Sequence, residues 1–236
     1  MRVISPIGLR HRCHGGGNPL SNVNTISLLH FDGTDGSTTF TDEKGLSWYV
    51  FSPTAELDTA QQQFGTASLF LPDLNSSIET DVLPDISTGD WTVECFLRFA
   101  NDTENILDVL IYDSDFNNSI TLAVQNDANT VRLTVYDTSG TSTPILNDVA
   151  SVTVAATTWY HVAGVREGTV YSTYFNGNRV NTTNVATAMN DTGPNGHVGI
   201  VATTVQDLWV DEFRISKIAR YSGATYTIPT LAFITD

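Results

Sequence analysis

Residues 91–99 read Trp-Thr-Val-Glu-Cys-Phe-Leu-Arg-Phe, and this stretch decides the fold class. Every second side chain from Trp91 to Phe99 is apolar, whereas the side chains between them include Glu94 and Arg98. A period of two is the signature of a β-strand with one face towards the core. Cys95 falls in the apolar row and Cys13 in a glycine-rich stretch, so the sequence predicts two unpaired cysteines.

The same alternation recurs at short spacing from residue 25 onward. Asn176-Gly177 is a hairpin signal, because both central residues of a type I′ turn need positive φ. No segment of helical length shows a period of 3.6, so the sequence predicts an all-β, two-sheet antiparallel sandwich. The predicted strands are 26–32, 46–52, 66–71, 77–82, 91–99, 105–112, 119–125, 130–136, 150–154, 159–166, 169–175, 196–203 and 207–215.

Charge divides the chain into two parts. Residues 1–24 hold three of the eleven basic residues and no acid, whereas residues 25–236 hold all 26 acidic residues. We therefore expect an extended basic N-terminal arm at 1–24, suited to docking on a neighbour, and one domain at 25–236. The net charge of −15 disfavours nucleic acid as a partner. Neither a secretory signal nor a membrane-inserting stretch is predicted.

Several short phrases then point to a known family. The chain resembles laminin-G-like, concanavalin A-like jelly-roll domains over residues 25–225. This resemblance implies adhesion, often to carbohydrate, and frequently a structural calcium ion. The phrases that carry it are Phe31-Asp32-Gly33, Trp91-Thr92-Val93-Glu94, Trp159-x-His161-Val162-Ala163, Arg166-x-Gly168, Tyr174-x-Asn176-Gly177 and Asp211-Glu212-x-Arg214-Ile215.

Two further runs, Phe31–Ser37 and Arg214–Tyr221, are similar to versions found in bacteriophage structural proteins. They imply a non-catalytic virion module, a capsid decoration or a head or tail appendage on the virion surface. Its partners would be other virion proteins through the arm and cell-surface glycans. A calcium-dependent carbohydrate-binding lectin outside a virion is the alternative, and assembly into a homo-oligomer stays open.

Asp32 and Asp211 are the predicted calcium ligands. Asp32 ends a strand before a glycine-rich turn whose carbonyls could also bind the ion, and calcium prefers many hard oxygens. Asp211 alternates in register with Phe213 and Ile215, and a carboxylate on that apolar side is costly unless it is satisfied. The alternative is that Asp211 pairs with an arginine or accepts backbone N–H groups.

Catalysis is not expected. A retaining glycosidase needs two carboxyl groups about 5–5.5 Å apart, which acids at i and i+2 or i+4 of one strand face could supply. No such pair is expected, the Glu-x-Asp-x-x-Glu pattern of glucanases with this fold is not matched, and the adjacent Asp211 and Glu212 are expected on opposite faces. Glu94 is the mid-strand acid expected nearest a groove, and His161 is expected to be a satisfied core histidine. A degenerate glycoside hydrolase is the third alternative.

Phe96 and Tyr174 are the predicted ligand-binding residues. Both alternate with core positions and so are expected on solvent-facing sides of their strands, where an aromatic ring could stack on a sugar. Trp48-Tyr49, near a turn, is a further aromatic pair that could contact a ligand or a protein.

Overall fold

The structure, a computed structural model, describes residues 24–52, 54–101, 120–136, 144–187, 189, 193–200 and 207–234, together with the backbone of 106–112. Residues 1–23 of the predicted arm, which include Cys13, lie outside the described residues, whereas Asn24 lies within them. No described segment is helical, as the sequence predicts, and none could cross a membrane as a long apolar helix. The strands are β1 (Thr25–Leu29), β2 (Phe40–Thr41), β3 (Ser47–Ser52), β4 (Glu56–Asp58), β5 (Ser68–Leu71), β6 (Ser77–Thr80), β7 (Trp91–Phe99), β8 (Ile106–Tyr112), β9 (Ile120–Gln125), β10 (Thr130–Tyr136), β11 (Pro144–Ser151), β12 (Tyr160–Glu167), β13 (Val170–Phe175), β14 (Asn178–Asn184), β15 (Asn195–Ile200) and β16 (Leu208–Ser216).

These strands form two antiparallel sheets of eight strands each. The first sheet has the order β14-β13-β12-β7-β16-β5-β4, with β1 pairing β16 beside this path. The second sheet has the order β11-β10-β9-β8-β15-β6-β3-β2. The predicted two-sheet antiparallel jelly-roll class is confirmed.

The core lies between the inner faces of the sheets. The apolar row of β7 from Trp91 to Phe99 is fully buried in it, and Cys95 is a free buried cysteine as predicted. Gly164 on β12 faces Leu133 of the opposite sheet so closely that an added Cβ would lie 3.0 Å from its side chain. Each large apolar side chain buried here contributes about 1.5–3 kcal/mol to folding.

Turn chemistry fixes the hairpins that the sequence signals. Asn176 and Gly177 have φ values of 48° and 81°, as a type I′ turn between β13 and β14 requires. Strand β14 itself was not predicted, because Asn178–Asn184 is mostly polar and lies at a sheet edge. The predicted strand 150–154 was wrong in position, since β11 occupies Pro144–Ser151.

A β-bulge in β16 changes which side chains face the core. Asp211 pairs with Phe96 and Arg214 with Glu94, so β16 carries one extra residue against β7, and Glu212 has a φ of 52°. Alternation is therefore broken at this point: Phe213 faces the core, whereas Asp211 faces outward.

The C-terminal segment, residues 217–234, crosses the outer face of the first sheet. It begins beside β7, where the Thr92 hydroxyl donates to the Ile218 carbonyl (2.8 Å). It reaches the β13–β14 turn, where Tyr226 N–H donates to the Gly177 carbonyl (2.9 Å). It returns to β16, where Phe233 N–H donates to the Glu212 carboxylate (2.8 Å). This face of the sandwich is therefore covered by the chain itself.

Candidate functional site

Glu94 lies at the centre of the covered face and is fully buried. Arg214 donates to its Oε1 from Nε (2.8 Å) and Nη2 (2.7 Å), and the Tyr221 hydroxyl donates to Oε2 (2.6 Å). Burial alone would raise the pKa of Glu94, but Arg214, His161 and Arg220 outweigh burial and lower this pKa to about 2. Glu94 is thus a structural anion, and the expectation that it lies nearest a sugar groove is wrong.

His161 is the buried histidine that the sequence predicts. Its side chain is fully buried, its Nε2 lies 3.2 Å from Glu94 Oε2, and its Nδ1 is hydrogen-bonded to the Tyr226 hydroxyl. The ring packs edge-to-face against Phe96, with 4.7 Å between ring centroids. It is a structural part of the covered face.

Phe96 and Tyr174 do not lie on a solvent-facing surface, so their assignment as ligand-binding residues was wrong. Phe96 is 2% exposed and packs against Phe64 and Phe233. Tyr174 is fully buried, and its hydroxyl donates to the Gly223 carbonyl (3.0 Å). Alternation correctly assigns both side chains to the outer face, but the C-terminal segment covers that face.

Asp211 and Glu212 both point outward because of the bulge, contrary to the expectation of opposite faces. Asp211 Oδ2 accepts the N–H groups of Gln63 (2.8 Å) and Phe64 (3.0 Å), and its Oδ1 accepts the N–H of Glu212 (2.8 Å). Burial raises the pKa of Asp211 to about 8, although the backbone donors oppose this rise. The alternative that Asp211 accepts backbone N–H groups is the one observed.

Asp32 holds the same loop, residues 59–67 between β4 and β5. Its Oδ1 accepts from the Thr66 hydroxyl (2.9 Å) and from the Thr66 N–H, and Gly65 passes so close that a Cβ would lie 2.1 Å from this oxygen. The two predicted calcium ligands are therefore used as anchors of one loop.

This donor set does not fit a calcium site. Calcium needs six to eight oxygens, whereas both oxygens of Asp211 and Oδ1 of Asp32 already accept N–H or O–H groups. Within the ranges that the structure describes, no group of three or more His, Cys, Asp or Glu side chains is arranged to hold a metal. Calcium at Asp32 and Asp211 stays a prediction for experiment.

The outer face of the second sheet carries a different set of side chains. One register row runs from Tyr49 on β3 to Glu79 on β6 and His197 on β15, and continues to Thr121 on β9 and Thr134 on β10. His197 Nδ1 lies 3.2 Å from Glu79 Oε1. This row combines a carboxylate, an imidazole, hydroxyls and a phenol on one face.

Exposed aromatic rings stand at the β3 end of this face. Tyr49 is 40% exposed and Phe51 is 64% exposed on the same strand, and the pairing of β3 with β6 shifts register between Val50 and Ser52. The Tyr49 hydroxyl donates to Asp81 Oδ1 (2.6 Å), and this bond raises the pKa of Tyr49 to about 12. The sequence pattern placed Tyr49 only near a turn, and because the register shifts at Phe51, alternation along β3 could not have identified the two exposed rings.

A groove of about 570 Å³ lies beside Tyr49, along the β2–β3 hairpin. Its volume falls within the usual range of small-molecule sites. Its walls combine apolar rings with hydroxyl groups, a composition that suits a hydroxylated ligand. The residues that line it include Thr38, Thr39, Thr41, Ser47, Trp48, Tyr49 and Thr54.

Glu79 and Asp81 contradict the expectation that no two acids stand at i and i+2. They are two residues apart, and both lie next to Tyr49, Glu79 as its cross-strand partner and Asp81 through the hydroxyl. This spacing of Glu79 and Asp81 is visible in the sequence but was not predicted as a pair. In the Glu-x-Asp-x-x-Glu pattern of related glucanases, Glu79 and Asp81 match the first two acids, but Pro84 stands at the third.

Comparison with known proteins supports the fold. The family model Laminin_G_3, described as the concanavalin A-like lectin/glucanases superfamily, matches residues 72–222. No curated protein sequence matches the chain.

Among solved structures, the binding domain of botulinum neurotoxin serotype D superposes with a TM-score of 0.65 at 15% identity, over 84% of this chain and 49% of that one. The binding domain of botulinum neurotoxin DC in complex with SialylT gives 0.62 at 14% identity, over 84% and 49%. The carbohydrate-binding module CBM66 from Bacillus subtilis gives 0.47 at 14% identity, over 72% and 94%. The chain thus spans about half the length of the toxin binding domains, and these identities establish similarity of fold alone.

Proposed function

The chain belongs to the concanavalin A-like lectin/glucanases superfamily, and on that basis we propose that it is a non-catalytic glycan-binding adhesion module. The single observation that carries the proposal is the exposed aromatic pair, Tyr49 and Phe51, beside the hydroxyl-lined groove. Flat apolar rings with a few fixed polar groups are typical of small-molecule sites. On the outer face of the first sheet, residues 217–234 cover the aromatic side chains of Phe96 and Tyr174.

Glycan binding at this site is testable with paired variants. We expect Tyr49→Ala and Phe51→Ala each to reduce binding to any neutral glycan that the wild-type protein retains on a glycan array, by about tenfold, because a stacked ring is lost. Leu231→Ala is the matched control: Leu231 is 66% exposed and Phe51 is 64% exposed, but Leu231 lies in the C-terminal segment. Equal losses in Phe51→Ala and Leu231→Ala would place the site elsewhere.

A degenerate glycoside hydrolase is the second candidate, favoured by the Glu79 and Asp81 pair. Against it, Glu79 is engaged by His197 and Asp81 by Tyr49, and Pro84 stands where the third acid of the pattern would be. Purified protein is expected to leave β-glucans intact, as measured by the release of reducing ends. Hydrolysis that disappears in Glu79→Gln and persists in Glu94→Gln would establish the hydrolase instead.

The setting that we propose is a viral particle, in which residues 1–24 attach the module to other virion proteins and the sandwich faces outward. This part rests on the resemblance of Phe31–Ser37 and Arg214–Tyr221 to phage structural proteins and on the three arginines and absent acids of residues 1–24. A lectin outside a virion is the alternative. Capsid or tail genes next to the reading frame would favour the virion, and their absence would favour the lectin.

Deletion of residues 1–24 tests the attachment. We expect the melting temperature to stay within about 2 °C, because the described core lies in residues 25–234, and we expect incorporation into particles to be lost. The control is the same deletion tested for glycan binding, which should be unaffected. Unfolding of the truncated protein would show that residues 1–24 belong to the domain.

A further inference from the structure

Arg132 stands on the outer face of the second sheet, five strands away from Tyr49. It lies on β10 between Ala123 of β9 and Val149 of β11, its cross-strand neighbours. Five strand spacings correspond to about 24 Å. The position is therefore a separate location from the aromatic pair on the same face.

A small cavity surrounds the Arg132 side chain. Its volume is about 90 Å³, and it is lined by Ala123, Gln125, Thr130, Arg132 and Val149. The cavity exists because a long arginine stands beside alanine, whose methyl group leaves the space above it unfilled. Such a volume has room for about three water molecules, or for one carboxylate or sulfate group.

The guanidinium of Arg132 lacks the partners that other arginines of the chain have. Its Nε is buried without a hydrogen-bond acceptor, and no ion pair of Arg132 is found within the described part of the chain. By contrast, Arg98 stands over the Trp209 ring and Arg166 donates to the Gly168 carbonyl (3.0 Å). A buried N–H without an acceptor is costly, so a position that keeps one needs an explanation such as a ligand.

We propose that this cavity binds the anionic group of an acidic saccharide, with Arg132 as the residue that recognises the anion. A guanidinium presents paired N–H donors in one plane, which match the two oxygens of a carboxylate or two oxygens of a sulfate ester. The Gln125 amide and the Thr130 hydroxyl, both in the cavity wall, supply further hydrogen-bonding groups. Val149 is 53% exposed and offers an apolar surface to the sugar ring.

The inference rests on the proposed function only in taking the anion to be part of a saccharide. Of the cavity-lining residues, Arg132 is the only one with a charge, and its two paired neighbours are uncharged; Asp108 of β8 follows Ala123 in the same register row. The net charge of −15 disfavours anions in general, so recognition at Arg132 must come from short-range hydrogen bonds. The ligand is thus an anion that can enter the cavity.

The test uses methyl β-D-glucuronide, its neutral amide and glucose 6-sulfate as probes. Nitrogen-15 NMR of the arginine Nε–Hε groups is expected to show a shift of the Arg132 signal with the glucuronide or with the sulfate, and none with the amide. The probe that binds more tightly shows whether the preferred anion is a planar carboxylate or a tetrahedral sulfate. Arg132→Gln and Arg132→Lys have no such Nε–Hε signal, so affinities of all variants are measured by isothermal titration calorimetry. Arg132→Gln is expected to weaken binding of the tighter probe at least about tenfold, Arg132→Lys to weaken it less, and Arg98→Gln, the control, to leave it unchanged.

A second variant keeps the arginine and fills the space. Ala123→Leu is expected to abolish the anion response while circular dichroism shows a folded protein. Equal binding of the glucuronide and its amide, or an anion response unchanged in both Arg132→Gln and Ala123→Leu, would overturn the proposal. Tyr49→Ala and Phe51→Ala should leave the Arg132 response intact, so failure here and failure of glycan binding at the aromatic pair are distinguishable.

Discussion

The outer faces of the two sheets use their arginines in opposite ways. On the first sheet Arg214 is fully buried, donates twice to Glu94 and stacks on Phe233 with 3.6 Å between the guanidinium carbon and the ring centroid. On the second sheet Arg132 keeps a buried Nε without an acceptor. On the covered face Arg214 and Arg220 form ion pairs with Glu94, whereas Arg132 forms none within the described residues. The comparison therefore separates residues kept for folding from residues available for binding.

The largest expected effect concerns Arg214. Arg214→Met should lower the free energy of unfolding by about 3–5 kcal/mol, because it removes the two shortest cationic contacts of the buried Glu94 and leaves Arg220 at 3.7 Å. Arg132→Met is the matched control and should change the unfolding free energy by no more than about 0.5 kcal/mol. Urea unfolding at neutral pH measures both. Similar losses in the two variants would contradict the division between the faces.

The next effect is the dependence of stability on pH. Arg214, His161 and Arg220 lower the folded-state pKa of Glu94 to about 2, below the ordinary glutamate value of 4.5. Ionised Glu94 therefore stabilises the folded state above about pH 4.5, and this contribution is lost as the pH falls through 2. The loss is on the order of 3 kcal/mol, from about 1.4 kcal/mol per pKa unit.

Urea unfolding between pH 5 and pH 2 measures this loss, and Glu94→Gln should flatten the pH profile in this window. Glu79→Gln is the control on the other face and should keep the slope. A wild-type slope retained in Glu94→Gln would assign the acid sensitivity to other carboxylates.

A smaller effect concerns the loop 59–67. Asp211→Asn should lower the free energy of unfolding by about 1–3 kcal/mol, since an amide is a weaker acceptor for the N–H groups of Gln63 and Phe64. The loss should be the same in calcium and in a chelator, because the carboxylate acts on the loop directly. The loss is best measured near pH 4, because the folded-state pKa of Asp211 is raised to about 8, so wild-type stability falls as the pH rises from about 4 to 8 and Asp211→Asn does not share that fall.

The response to calcium distinguishes two roles for Asp32 and Asp211: ligands of a calcium ion, or anchors of the loop 59–67. A structural calcium ion would stabilise the wild-type protein by about 2.7 kcal/mol at 100 times its dissociation constant. A melting temperature that rises with calcium in the wild-type protein and not in Asp32→Ala or Asp211→Ala would restore the calcium site. Indifference to both calcium and chelator would support the loop anchors alone.

The features that could be predicted from the sequence are those set by neighbouring residues in the chain. The period-two row of β7 predicted its buried face, and Asn176-Gly177 predicted its turn, because both depend on residues that are adjacent in the chain. The bulge at Glu212 has no comparable local signal, so the faces of Asp211 and Phe213 could not be assigned by alternation alone. The expected solvent exposure of Phe96 and Tyr174 was wrong because burial depends on what packs above a strand.

By itself, the sequence determined an all-β sandwich and an inward-facing Cys95, since both follow from the spacing of side chains along one strand, whereas the predicted burial of His161 comes from the C-terminal segment that packs on it. Only the tertiary structure decided which outer face is available to a ligand. The residues that cover Phe96 and Tyr174 come from 217–234, more than forty positions later, and the partners of Asp211 come from the loop 59–67. Contacts between such distant segments are set by the whole packing of the chain, and for that reason the aromatic pair and Arg132 emerged only from the structure.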